Sequence, residues 1–302
     1  MYFMKSKKIM GVRVDFGLSM EDTIDIIENK LLKDDKNHIV CTTNPEFIID
    51  AQEDAEFRDI INNSSLSVPD GIGVVLANKY LEKIEKFPRN FLFPLRALIE
   101  GILLGIRTLF NGHELSSERI SGVDLAYKLC EVASKKKYNI FLLGGRYKNV
   151  LGKFDSAIDK DMSEDARTEL EKLYPGINIV GATSKYSRLQ IDDSNTVNFI
   201  NDVMKEKGIQ RIDILLVAYN HGHQEKWIIR NKDKIPAKVS IGCGGTFDYI
   251  VRNCALPPTY YVNKNLGWLY RVIKQPWRIK RILKAFPTFP MKIFISSLTT
   301  KR

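Results

Sequence analysis

The chain reads as an α/β protein, a parallel sheet with helices on both faces, followed by a basic helical C-terminal appendage. Three observations predict this. Short apolar runs alternate with helical patterns along most of the length, as strands joined by crossover helices do. Polar and glycine-rich turns recur just after those apolar runs, at the carboxyl ends of the predicted strands, where such sheets bind ligands. The excess positive charge is confined to one end. Asn263 to Arg302 holds ten Lys or Arg and no Asp or Glu, and removing these ten from the 46 basic residues leaves 36 against 36 acidic.

Taken in order, Ile9 to Val14 reads as a first strand, and Ser19-Met-Glu-Asp as a capping box opening a helix that runs to about Leu32. His38 to Thr42 is a short apolar strand. Asn44 follows as N-cap with Pro45 in the first turn, and the helix they open carries Phe47, Ile48 and Phe57 before fading at Asn62-Asn63-Ser64-Ser65. Leu66 to Val68 is a brief strand ending in the turn Pro69-Asp70-Gly71-Ile72-Gly73. Further strands are expected at Asn139–Leu143, Ile177–Gly181, Ile212–Ala218 and Lys238–Gly242, with helices at Gly122–Ser134 and Asp193–Glu206.

Phe87 to Phe110 breaks the alternation. Leu95, Leu98, Ile99, Ile102, Leu103, Ile106 and Phe110 recur at helical spacing, while Arg96, Glu100 and Arg107 interrupt the apolar run, so the segment does not span a bilayer. Two readings stay open for it: a helix buried against the domain or a subunit neighbour, and a helix lying in a membrane interface.

In the tail, Pro276 suits a first helical turn. Ile279, Ile282, Leu283 and Phe286 then form one apolar stripe with Arg278, Lys280, Arg281 and Lys284 off it, and Pro287 and Pro290 are expected to stop the helix. Basic side chains interleaved with Trp268, Tyr270, Trp277, Phe286, Phe289 and Phe294 suit an anionic membrane interface, and also single-stranded nucleic acid.

Composition narrows the classes. With 44% hydrophobic and 27% charged residues the 302-residue chain has the composition of a globular protein, and a disordered chain is not expected. Cys41, Cys130, Cys243 and Cys254 form no C-x-x-C pair, which argues for reduced thiols in a cytoplasmic compartment. Met1 to Met10 has lysines but no apolar core or small-residue cleavage site, so no signal peptide is expected. Without a spanning run, the chain is expected to be soluble or peripheral, meeting a membrane from the cytoplasmic side.

Chemistry concentrates at the strand ends. Neither G-x-G-x-x-G nor a P-loop is present. His221-Gly-His223 lacks a third ligand at a recognisable spacing and reads as loop histidines, and Cys41 on its strand reads as packing. Asp70 follows a strand and precedes two glycines. A carboxylate there can take the proton of an attacking hydroxyl, or can simply brace an Asp-Gly turn.

Thr42-x-Asn44-Pro45-Glu46, Pro69-Asp70-Gly71-x-Gly73-Val74-Val75, Glu118-Arg119-x-x-Gly122-x-Asp124-Leu125, Leu143-Gly144-Gly145, Gln224-Glu225-x-Trp227-Ile228, Gly245-x-Phe247-Asp248 and Trp268-Leu269-Tyr270-Arg271 occur in this order. Together they resemble the WecG/TagA/CpsF family of bacterial glycosyltransferases, family 26, over nearly the whole chain except Phe87–Phe110. The resemblance implies a Rossmann-like catalytic domain over 1–250, with an insertion at about 87–117, and a membrane-docking appendage over 251–302. It implies inverting transfer of an N-acetylmannosamine-type sugar from a UDP-sugar to a polyprenyl-diphosphate-linked N-acetylglucosamine, with no metal or other cofactor. Asp70 would be the base, Thr42, Asn44 and Gln224 would line the sugar pocket, and Arg119 would be a site arginine. Arg271, Arg278 and Arg281 would hold a diphosphate. The partners implied are those two substrates, an anionic membrane surface and, in some relatives, further copies of the chain, with no nucleic acid. The loop Ala218-Tyr219-Asn220-His221-Gly222-His223 departs from the family's usual Gly-x-Gly-x-Pro-Lys, which leaves open a different donor sugar or a chain that has lost activity and serves as a membrane scaffold.

Overall fold

In the computed structural model the described residues are 3–110, 118–147, 160–252, 258, 260–261, 267–276 and 279–299. The central layer is a six-stranded parallel sheet built from β3 (His38–Thr43), β4 (Leu66–Pro69), β5 (Asn139–Gly144), β6 (Asn178–Thr183), β7 (Ile212–Ala218) and β8 (Ala237–Gly242). Its order is β4-β3-β8-β7-β5-β6, parallel at every pairing. These strands read as unbroken apolar runs because both faces are covered. Successive side chains divide between two cores: Ile39, Cys41, Phe141, Leu143, Leu215 and Val217 enter one, and Val40, Ile140, Leu142, Ile214 and Leu216 the other.

The first expected strand is a hairpin instead, β1 (Lys5–Ile9) paired antiparallel with β2 (Val12–Phe16). Its turn uses Met10 and Gly11 at φ 49° and 79°, a left-handed pair that sets the strands' twist but that methionine does not advertise. The hairpin shields the outer edge of β4. Buried Asp15 accepts from the Ser67 backbone N–H at 2.8 Å, and Ser67 Oγ donates to the Arg13 carbonyl at 2.7 Å.

α1 (Met20–Ile26) opens on the expected capping box: Ser19 Oγ and the Asp22 carboxylate each accept the other residue's backbone N–H at 3.0 Å, and a wider π turn carries the helix on to Leu31. The helix expected from Asn44 to Asn62 is two, α2 (Pro45–Asp50) and α3 (Ala55–Asn63). The break falls where Asp54 caps α3 by accepting from Phe57 N at 3.0 Å. α4 (Ile72–Ile84) follows Gly71, whose φ of +89° favours glycine, and α5 (Phe93–Phe110) lies on α4. α6 (Gly122–Lys136), α7 (Met162–Leu173), α8 (Asp193–Glu206), α9 (His223–Asn231) and α10 (Thr246–Ile250) complete the two covering layers.

The tail contains α11 (Gly267–Lys274), α12 (Ile279–Leu283) and α13 (Phe289–Thr299). The single helix expected from Pro276 to Phe286 ends early, because Phe286 is extended at φ −156°, ψ 125° before Pro287. Pro290 starts a helix rather than stopping one, since in the first turn of α13 its missing N–H would have had no partner. α13 then packs on α2, α4 and α5, sinking Phe289 and Ile293 into the same core as the sheet.

Candidate active site

An open cleft of about 740 Å³, mouth included, lies beyond the carboxyl ends of the strands. Thr42 and Asn44 enter it from the end of β3, Asp70 from the end of β4 and Gln224 from the first turn of α9. The turn after β8, Gly242 to Thr246, and the start of α6 complete the rim on one side, and Arg281 reaches in from the tail on the other. Five of the eight site residues expected from the sequence therefore meet in one place: Thr42, Asn44, Asp70, Gln224 and Arg281.

Each is held by identifiable bonds. Asn44 Oδ1 caps α2 by accepting from Phe47 N at 3.1 Å. The Asp70 backbone N–H donates to the Thr43 carbonyl at 2.9 Å, which aligns the β3 and β4 ends. Trp227 and Ile228 are buried and anchor α9 one turn beyond Gln224, which turns Gln224 and Glu225 toward the cleft floor. There the Gln224 amide is fixed at both ends: Oε1 accepts from Gly244 N at 3.0 Å, and Nε2 donates to Glu225 Oε1 at 2.7 Å. Glu225 Oε2 accepts from Gly222 N at 2.6 Å. A Cβ at Gly242 would run into both Gln224 Nε2 and Glu225 Oε1, so the pair packs directly on the backbone of β8. Burial of Glu225 outweighs these hydrogen bonds and pushes its carboxyl up to about 7.

The tail's side of the cleft is built from charge. Arg281 donates from Nε to both oxygens of Glu46 at 2.9 and 2.8 Å, and from Nη2 to Oε2, leaving Nη1 outside that fork. Burial alone would lower the guanidinium pKa. The Glu46 bonds, with Asp50 and Asp70 adding, raise it instead, so Asp70 and Arg281 share one electrostatic field. Next to it, Asp50 takes Lys284 Nζ at 2.6 Å on one oxygen and His221 Nε2 at 2.8 Å on the other. His221 also stacks on Phe47 at 5.4 Å, so the residue read as a loop histidine is tied to α2.

The remaining expected residues lie elsewhere. Arg119 is partly exposed and does not line the cleft. Its neighbour Ile120 donates its backbone N–H to the Pro69 carbonyl at 2.9 Å, which sets the segment beside the Asp70 turn. Arg271 is placed on α11, but its side chain lies outside the described residues, as does the whole of Arg278. Cys41 is buried with its thiol pushed well up by burial, which fits packing. No group of three or more potential metal ligands occurs among the described residues. Sequence reasoning assigned no role to Glu46, Asp50 or Glu225. Glu46 and Glu225 stood inside quoted motifs, and only their partners show what they do.

Comparison with known proteins fits this arrangement. The chain is 28% identical over 270 residues, 89% of this chain and 84% of the relative, to the N-acetylglucosaminyldiphosphoundecaprenol N-acetyl-beta-D-mannosaminyltransferase of Bacillus subtilis (strain 168). It is 25% identical to the enzyme of that name from Bacillus spizizenii, over 85% of this chain and 79% of the relative. With the one from Staphylococcus aureus (strain MRSA252) it shares 24% identity, over 94% and 91%. The model of the Glycosyl transferase WecG/TagA/CpsF family matches residues 7–91 and 98–302, passing over only 92–97 of the stretch read as an insertion. A parallel α/β sheet, a cleft at its carboxyl edge and a family match along almost the entire chain agree, and the protein belongs to the WecG/TagA/CpsF family of glycosyltransferases.

Proposed function

We propose that the protein transfers an N-acetylmannosamine-type sugar from a UDP-sugar to a polyprenyl-diphosphate-linked N-acetylglucosamine, in the assembly of a surface polysaccharide or teichoic acid. The relatives' names support this acceptor and this sugar. The observation that carries the reading is that Asp70 and the tail's Arg281 line the same cleft. A sugar transfer of this kind needs a base for the incoming hydroxyl and fixed positive charge for phosphate, and the cleft offers both.

In this reading the Asp70 carboxylate accepts the proton of the acceptor hydroxyl as its oxygen attacks the anomeric carbon. The bond from that carbon to the UDP oxygen breaks with inversion, and UDP leaves with the electron pair. Thr42, Asn44 and the doubly anchored Gln224 orient the sugars. The phosphates are met by arginine forks rather than a metal, with Arg281 contributing Nη1 and Arg271 and Arg278 assigned to the same task, while Arg119, beside the Asp70 turn, is kept only as a site arginine. Functionally, residues 1–250 act as the catalytic domain and 251–302 as the appendage that brings it to the inner face of the membrane, where each basic residue near an anionic leaflet adds about 1 kcal/mol of attraction.

The test is Asp70→Asn with UDP-N-acetylmannosamine and a short-chain lipid-diphosphate acceptor, product being read by mass spectrometry. The expected result is a fall in kcat of about 10²- to 10⁴-fold with the fold intact. Transfer at the wild-type rate removes Asp70 as the base, and no product with any UDP-sugar removes the transferase reading.

A further inference from the structure

α5 is seated on the domain by a narrow stripe. Phe93 and Ala97 are buried, Gly101 rests on the ring of Tyr80, and Glu100, itself buried, pairs with Lys83 at 2.7 Å. The rest of the helix faces outward and is apolar: Leu95, Leu98, Ile99, Ile102, Leu103 and Ile106 are each 42–55% exposed. α13 packs beside it and exposes an apolar stripe of its own, Met291, Ile295 and Leu298. Arg89 locks the two helices together, donating from Nη1 to the Ser297 carbonyl at 2.6 Å while lying 3.9 Å over the Phe93 ring. An apolar surface made by two helices is more than the scattered exposed leucines of a soluble monomer, and it asks for an occupant.

The charges choose between a second copy and a lipid surface. The charged side chains on the outward face of α5 are Arg96 and Arg107, its one acid is turned inward, and α13 carries Lys292 and no acid. Two copies meeting face to face would bring arginine toward arginine with no carboxylate from either helix to receive them. An anionic leaflet receives apolar side chains and their basic rim at once. α5 holds three charged residues in eighteen, and no helix among the described residues is long and apolar enough to cross a bilayer, so the helix would lie in the interface plane.

We infer that α5 and α13 form one lipid-binding platform, whose occupant is the surface of an anionic bilayer. α5 thereby adds an element outside the basic tail to the membrane attachment proposed above, joined to it through α13, and the inference rests on that attachment but not on the transfer reaction. One turn, Lys284–Thr288, separates α13 from α12, which carries Arg281 into the cleft; that turn and α13 both pack on α2, so platform and cleft are built on one short stretch of chain.

The full chain should float with phosphatidylglycerol-containing vesicles and bind phosphatidylcholine vesicles far less. Leu98→Ser combined with Ile102→Ser should weaken binding by about tenfold or more, with the thermal unfolding transition retained. On the otherwise native chain, Ile102→Trp should show a fluorescence blue shift on adding vesicles and quenching by brominated lipid, a readout that does not depend on the double variant folding. Equal vesicle binding by the double variant, or an unquenched Trp at position 102, overturns the platform and leaves the basic tail as the whole attachment. A wild-type dimer that the double substitution turns into a monomer, by light scattering, assigns the face to a second copy instead. Turnover of a short-chain soluble acceptor, measured in parallel, should be unchanged in the double variant. Absence of that turnover in the wild type defeats the transferase reading while the vesicle result still decides the platform.

Discussion

The two walls of the cleft are held by different physics. On the sheet side, Gln224 and Glu225 are almost fully buried and their oxygens and nitrogens bond to backbone that the strands have already fixed. On the tail side, Arg281 and Lys284 are roughly half exposed and are kept in place by Glu46 and Asp50. Burial preorganises the first wall, and opposite charge recruits the second. Changes that strand a buried group should therefore act on the sheet wall most strongly, and changes in pH or salt should separate the two.

The largest effect is expected from Glu225→Ala. It leaves the Gly222 N–H and the Gln224 amide without their acceptor in a dry site, at about 1–3 kcal/mol for each stranded group. Denaturant unfolding should show a loss of about 2–5 kcal/mol, and kcat should fall because Gln224 no longer has one orientation. A loss below 1 kcal/mol would mean that water replaces the carboxylate and that the wall is not preorganised. Gly242→Ala attacks the same wall from behind by forcing a methyl group into the Gln224–Glu225 pair, and should cost about 1–3 kcal/mol.

The pH responses of the two walls run in opposite senses. The Glu225 carboxyl is raised in the folded protein to about 7 from 4.5, so folding favours its protonated form. Its stabilising contribution is complete below about pH 4.5 and is lost as pH rises through about 7, an amount on the order of 3 kcal/mol. Activity goes the other way, because only the carboxylate accepts from both Gly222 and Gln224. Asp50 is lowered in the folded protein: burial opposes its charge, but His221 and Lys284 more than offset that. Its contribution is present above its unfolded pKa and is lost as pH falls through the lower folded value. Between pH 5 and 8, wild type should lose stability relative to Glu225→Gln as pH rises, with kcat gaining an acid limb near pH 7. Parallel stability curves for the two proteins would show that Glu225 does not titrate there.

Legibility in the sequence followed the same division. The six parallel strands could be read because strands buried on both faces appear as plain apolar runs; Asp70 could be placed because it follows a strand, and Thr42, Asn44 and Gln224 because their motifs resemble the family's. The Met10–Gly11 hairpin turn, the α2/α3 break and the restart at Pro290 were missed. In each, a local preference was read without the packing that decides it: β2 against β4, α3 against α9, and α13 in the core. Glu46 and Asp50 could not be assigned from the sequence, because their partners Arg281 and Lys284 are more than 230 residues away. Charge counting located the tail's excess, but not which of its cations turns inward.

The smallest and most discriminating effect concerns that turn inward. Lys284 and Asp50 form a half-exposed pair, which contributes about 0.2–1 kcal/mol. Arg281→Ala removes a fork from the buried Glu46 carboxylate and should cost more, about 1–2 kcal/mol after allowance for its exposure. Because the sheet wall has no comparable exposed ion pair at Gln224, raising salt from low to physiological strength should narrow the difference between wild type and Lys284→Ala, while leaving that between wild type and Gly242→Ala unchanged. Limited proteolysis sharpens the point. If charge recruits the tail, Arg281→Ala should speed cleavage between α11 and α13 more in low salt than in high salt. Salt-independent cleavage would show instead that Phe289 and Ile293, seated in the core, hold the tail without help from the ion pairs.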